Sequence, residues 1–98
     1  MPRHRTDKNQ VALDEYATRI GMGIVKLTNT DINGLPDRLY LDRGRTFWCE
    51  IKSDTAYGKE GLSKSQMMFR ATLAKYGIPL HVIRTENDLL KLKNGELK

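Results

Sequence analysis

The chain has 98 residues, of which 39% are hydrophobic and 30% charged, with a formal net charge of +5 and a pI near 9.5. That length is expected to hold one domain with no room for a second, and the basic balance points to a polyanionic partner. The longest uncharged apolar run is far too short to span a membrane, and a single cysteine excludes an intrachain disulfide and suits a reducing compartment such as the cytoplasm.

Residues 1–6 read as a basic tail whose Arg3, His4 and Arg5 are candidates for backbone-phosphate contacts, and 7–98 as the domain itself. No apolar run follows the basic start, so it is read as neither a signal peptide nor an anchor. Thr6 suits an N-cap and Asp7 a first helical turn, after which Leu13, Tyr16, Ala17 and Ile20 recur at helical spacing until Gly21. Ile24 to Thr28 reads as a short strand bearing Lys26, a second candidate phosphate contact, followed by a polar loop. The turn at Asn33-Gly34 then meets Pro36, which fixes its own φ and biases Leu35 toward an extended backbone. A strand over Asp37–Asp42, hairpin-like turn material at Asp42–Arg45 and a strand over Thr46–Lys52 complete a hairpin pattern.

Alternation on the second strand puts Trp48, Glu50 and Lys52 on one face and Phe47, Cys49 and Ile51 on the other. Cys49 is therefore expected in the core rather than as a nucleophile. Pairing the strands as a hairpin brings Asp37 beside Glu50 and Lys52. Two carboxylates next to a lysine suit a hard divalent cation, although such groups are more often solvated cross-strand ion pairs.

Asp54 to Gly61 holds two glycines and no periodicity, as substrate-gripping loops often do. Ser63 to Tyr76 reads as a helix, with Ser63 and Gln66 as a capping box, a stripe of Phe69, Leu73 and Tyr76, and Gly77 and Pro79 as its stop. Leu80 to Arg84 is a fourth strand, on which His81 is expected to be partly covered rather than a ligand. Thr85 caps a last helix, Glu86 to Lys93, carrying Leu89, Leu90 and Leu92.

The order Gly-x-Pro-Asp, short hairpin, Glu-x-Lys, Gly-containing loop, then Ser63-Lys-Ser-Gln66 opening a helix resembles the VRR-NUC (virus-type replication-repair nuclease) domain of the PD-(D/E)xK nuclease superfamily, in its stand-alone phage form. The resemblance runs from about Gly21 to Leu90. It implies an α/β fold of order α-β-β-β-α-β-α, a mixed central sheet flanked by helices, and a metal-dependent DNA endonuclease. It implies catalytic roles for Asp37, Glu50, Lys52 and Gln66, with Mg²⁺ or Mn²⁺ held by Asp37, Glu50 and the carbonyl of Ile51. The expected substrate is branched DNA such as a four-way junction, cut in the manner of Holliday-junction resolvases by a homodimer in the cytoplasm of a bacterial host. The rival expectation is a catalytically silent DNA-binding module. The family also places an acid early in the first helix, near Thr6 to Gln10; here it is Asp7, is replaced by Gln10, or is absent, Asp14 and Glu15 falling too late.

Overall fold

A computed structural model describes residues 4–27, 31–52 and 61–96, without the side chains of residues 4–7. Its elements follow the expected order: α1 (His4–Arg19), β1 (Gly23–Lys26), β2 (Arg38–Asp42), β3 (Arg45–Ile51), α2 (Lys64–Lys75), β4 (Leu80–Ile83) and α3 (Glu86–Lys93). The strands form one mixed sheet in the order β1-β2-β3-β4, antiparallel except for the parallel β3–β4 pair. Antiparallel neighbours need only turns, whereas the parallel pair needs a crossover, which α2 supplies. No described helix is long and apolar enough to cross a membrane.

The β2–β3 turn is a two-residue connection in which Arg43 and Gly44 both have positive φ, 45° and 82°. That geometry matches the twist of the strands it joins and sets the register Arg38–Cys49, Tyr40–Phe47, Asp42–Arg45. One sheet face therefore carries Tyr40, Cys49, Ile51 and Ile83, which close a core with Leu13 and Ala17 of α1 and Leu89 and Leu92 of α3. The other face carries Trp48 and Glu50 and meets α2, where Phe69 packs against Trp48 at 6.2 Å between ring centroids.

Several expectations need adjustment. α1 begins at His4, so Thr6 lies inside the helix rather than capping it, and His4 and Arg5 belong to the helix rather than to a tail. Thr28 and most of the Asp54–Gly61 loop lie outside the described residues. Tyr76 does not join the buried stripe of Phe69 and Leu73: as the C-cap it has left helical geometry, and it is 72% exposed. His81 is buried rather than partly covered, because it sits opposite Cys49 on the core face and meets the edge of Phe47. Cys49 is fully buried, as expected, and burial pushes its thiol far above the range in which it would ionise.

Candidate active site

Asp37 is held from three sides. Its carbonyl accepts the Leu27 N–H at 3.0 Å and Arg38 Nη1 at 2.9 Å, and its Oδ2 accepts the Ile51 N–H at 2.8 Å. Arg38 is able to do this because it is buried and fixed in turn: its Nε and Nη2 fork onto the Asp14 carboxylate at 2.9–3.1 Å, and Nη2 also reaches Gln10 Oε1. Tyr40 adds its hydroxyl to Asp14 Oδ1 at 2.9 Å. A bidentate, buried pair of this kind fixes direction as well as position.

Glu50 is 3% exposed and lies on the α2 face, where its Oε2 accepts Gln66 Nε2 at 2.6 Å. The other oxygen, Oε1, is buried with no hydrogen-bond partner. Lys52 Nζ donates to Gln66 Oε1 at 3.1 Å and stands 3.8 Å from Glu50 Oε2. Gln66 caps the helix and also contacts the acid and the lysine. Its Oε1 completes the capping box with the Ser63 N–H at 2.9 Å, while its amide bridges the lysine and the glutamate. Asp37, Glu50, Lys52 and Gln66 are brought together.

Burial first, and the neighbouring Asp37 charge second, push the Glu50 carboxyl well above the usual carboxylate range; Lys52 opposes them. Two carboxylates facing one another in a desolvated site, one with a buried oxygen left unpartnered, form a donor set that a hard divalent cation satisfies. Ile51 adds to it, since a strand residue's N–H and C=O point to the same side and its N–H is on Asp37. Among the described residues no third acid, histidine or cysteine side chain joins them, so backbone and water oxygens would complete the shell.

The nucleic-acid candidates are not gathered here. Lys26 is exposed on the edge strand opposite Arg38, on the α1 face rather than the face of Glu50. Arg3 and the side chains of Arg5 and Asp7 lie outside the described residues. Of the first-helix candidates, Gln10 serves Arg38 instead of the acids. From α1, Asn9 reaches the residue just past β3: its Nδ2 donates to the Lys52 carbonyl at 2.6 Å and to that of Arg84 at 3.3 Å. Sequence reading missed Asn9 and Arg84. The guanidinium of Arg84 and the stem of Lys52 both border Gly61, 3.5 and 3.8 Å from the point a Cβ there would occupy. The available signal for Arg84 was topological: β3 and β4 run parallel, so the residues just past their ends come together.

No family model and no curated protein matches the chain. Among solved structures, one described as a VRR_NUC domain superposes with a TM-score of 0.69 at 22% identity, over 91% of this chain and 94% of that one. The fold is that of a VRR_NUC domain, with three helices and a four-stranded mixed sheet.

Proposed function

With that fold as the starting point, we propose that the domain is a divalent-cation-dependent DNA endonuclease that selects branched substrates. The observation that carries this reading is Glu50, which lies beside Asp37 with Oε1 buried and unpartnered among the described residues and with Oε2 on Gln66 and near Lys52. A module that only bound DNA would gain nothing from two acids that repel phosphate. Asp37, Glu50 and the Ile51 carbonyl would hold Mg²⁺ or Mn²⁺, which when bound polarises the phosphoryl oxygen and lowers the pKa of water.

The chain's own residues supply the rest. Ile51 anchors Oδ2 of Asp37 and Gln66 anchors Oε2 of Glu50, which leaves Glu50 Oε1 for the site. Lys52, its ammonium steered by Gln66, orients the attacking water or neutralises charge growing on the phosphate. Arg84, bordering the same glycine as Lys52, is placed to meet the DNA backbone. The net charge of +5 draws the polyanion in.

Two symmetry-related cuts in a four-way junction call for two sites, which a homodimer of a phage-type nuclease would provide in the host cytoplasm. The test is incubation of the purified protein with labelled junction and linear duplex in Mg²⁺, Mn²⁺, Ca²⁺ or EDTA, with light scattering for mass. Junction cleavage with Mg²⁺ or Mn²⁺, none with EDTA, and a mass near twice 11.2 kDa are expected. Cleavage that survives EDTA, or a monomer that cuts duplex as readily as junction, would count against the proposal.

A further inference from the structure

Pro36 stands where the β2–β3 ladder should continue. Arg38 faces Cys49, Tyr40 faces Phe47 and Asp42 faces Arg45, so the next step of the same register sets Pro36 opposite Ile51. The Asp42–Arg45 pair closes a two-residue turn and is hydrogen-bonded; hydrogen-bonded pairs recur at every second residue, so the Pro36–Ile51 pair is of the same class. In an unbroken ladder Ile51 would give its N–H to the carbonyl of residue 36 and receive that residue's N–H on its own carbonyl. Neither exchange takes place. The Ile51 N–H goes to Asp37 Oδ2 at 2.8 Å, and a proline has no N–H to return. Pro36 is fully buried and Ile51 is 1% exposed, so little water reaches this point. A proline in line with an interior strand is ordinarily avoided because it forfeits a ladder bond.

Resting on the reading of the site given above, we infer that Pro36 is a positioning residue: by withholding an N–H, it keeps the Ile51 carbonyl open as an oxygen ligand for the cation. Continued on the β2–β3 register, a residue with an N–H here would turn a backbone donor toward that oxygen. The ring matters for the donor it lacks more than for its stiffness.

The experiment is thermal melting of the DNA-free protein during a Mn²⁺ titration, run on three proteins. These are the wild type, Pro36→Ala, and a protein with N-methylalanine at position 36, assembled from synthetic fragments joined at Cys49. N-methylalanine lacks both the ring and the N–H. Wild type and the N-methylalanine protein should share one Mn²⁺ midpoint, and Pro36→Ala should need at least tenfold more Mn²⁺ while melting no lower in its absence. Junction cleavage by Pro36→Ala should recover most of the wild-type rate at saturating Mn²⁺. An unchanged midpoint for Pro36→Ala, a failure of Pro36→Ala to fold, or an N-methylalanine protein that behaves like Pro36→Ala would overturn the inference. A wild type with no Mn²⁺ response would instead bring down the reading of the site on which it rests.

Discussion

At the scale of single residues, Gln66 ties helix formation to chemistry. A glutamate in its place still accepts the Ser63 N–H, so the cap survives. It also loses the donor to Glu50 and sets a further carboxylate against two acids. Gln66→Glu should therefore melt within about 1 kcal/mol of wild type and lose cleavage, as read by a junction assay beside a urea melt; wild-type cleavage would return Gln66 to the role of a cap. Gly34 has a different part: with φ +80°, a Cβ there would stand 2.1 Å from the Ser65 carbonyl oxygen. That atom is backbone at the start of α2, so one element must move. Gly34→Ala should cost at least about 2 kcal/mol and depress cleavage even when folded, because the turn that precedes Asp37 seats the turn that presents Gln66. That Asp37, Glu50 and Lys52 lie together was legible because strand alternation and a hairpin are local rules, and the Ser63–Gln66 cap likewise; that Gln66 belongs beside the acids came from the family resemblance. The contact of Gly34 with Ser65 was not legible, since it depends on how two distant segments approach.

At the scale of elements, the link between α1 and β2 decides where Asp37 points. Arg38 and Asp14 are both largely shielded from solvent, so removing one leaves a buried charge unpaired. Asp14→Ala should cost about 3–5 kcal/mol, while Tyr40→Phe, which removes only a hydroxyl bond to Asp14, should cost about 1 kcal/mol. Chemical denaturation of both variants measures the difference; equal small losses would mean the pair carries little of the α1–β2 contact. Periodicity revealed that α1 and β2 exist, and Asp14, which falls too late for the acid that the family resemblance places early in the first helix, holds Arg38. Its pairing with Arg38 was hidden because nothing local in either element requires a partner of opposite charge. Likewise the start of α1 was placed late: Thr6 is a good cap by type, but the helix runs on past it to His4.

At the scale of the whole molecule, acid should loosen the domain in two stages. His81 is buried, its Nδ1 has no partner among the described residues, and burial holds its imidazole below the ordinary histidine range. The unfolded chain therefore takes up that proton first, and stability should begin to fall as pH drops below about 6.5. Asp42 acts lower. Its bond to Lys93, then that to Arg45, hold its carboxyl down to about 2 from 3.8, joining the hairpin tip to α3. Its contribution is complete above the unfolded value and is lost as pH falls through the folded one. Glu50 opposes the first stage, because its raised carboxyl takes up a proton in the folded chain before the unfolded one and so adds stability as pH falls. Each decline is therefore read as a difference: melting temperatures from pH 7 to pH 2 should fall relative to His81→Phe in the first stage and relative to Asp42→Asn in the second; parallel profiles would contradict this account of the sheet ends. The element order and mixed sheet could be read from pattern and resemblance. The depth of His81 could not, because it depends on both faces of β4 being covered at once.

The central claim is that Asp37, Glu50, Lys52 and Gln66 form one cation-dependent hydrolytic site. Its most direct test is Mg²⁺-dependent cleavage of a labelled four-way junction by Lys52→Ala beside wild type, with binding measured in Ca²⁺ and folding by circular dichroism. Among the described residues, Lys52 Nζ meets the polar groups of Gln66 and Glu50, so its removal should leave the fold intact. The account predicts a folded Lys52→Ala protein that binds the junction and does not cut it. Wild-type cleavage by that variant would contradict it.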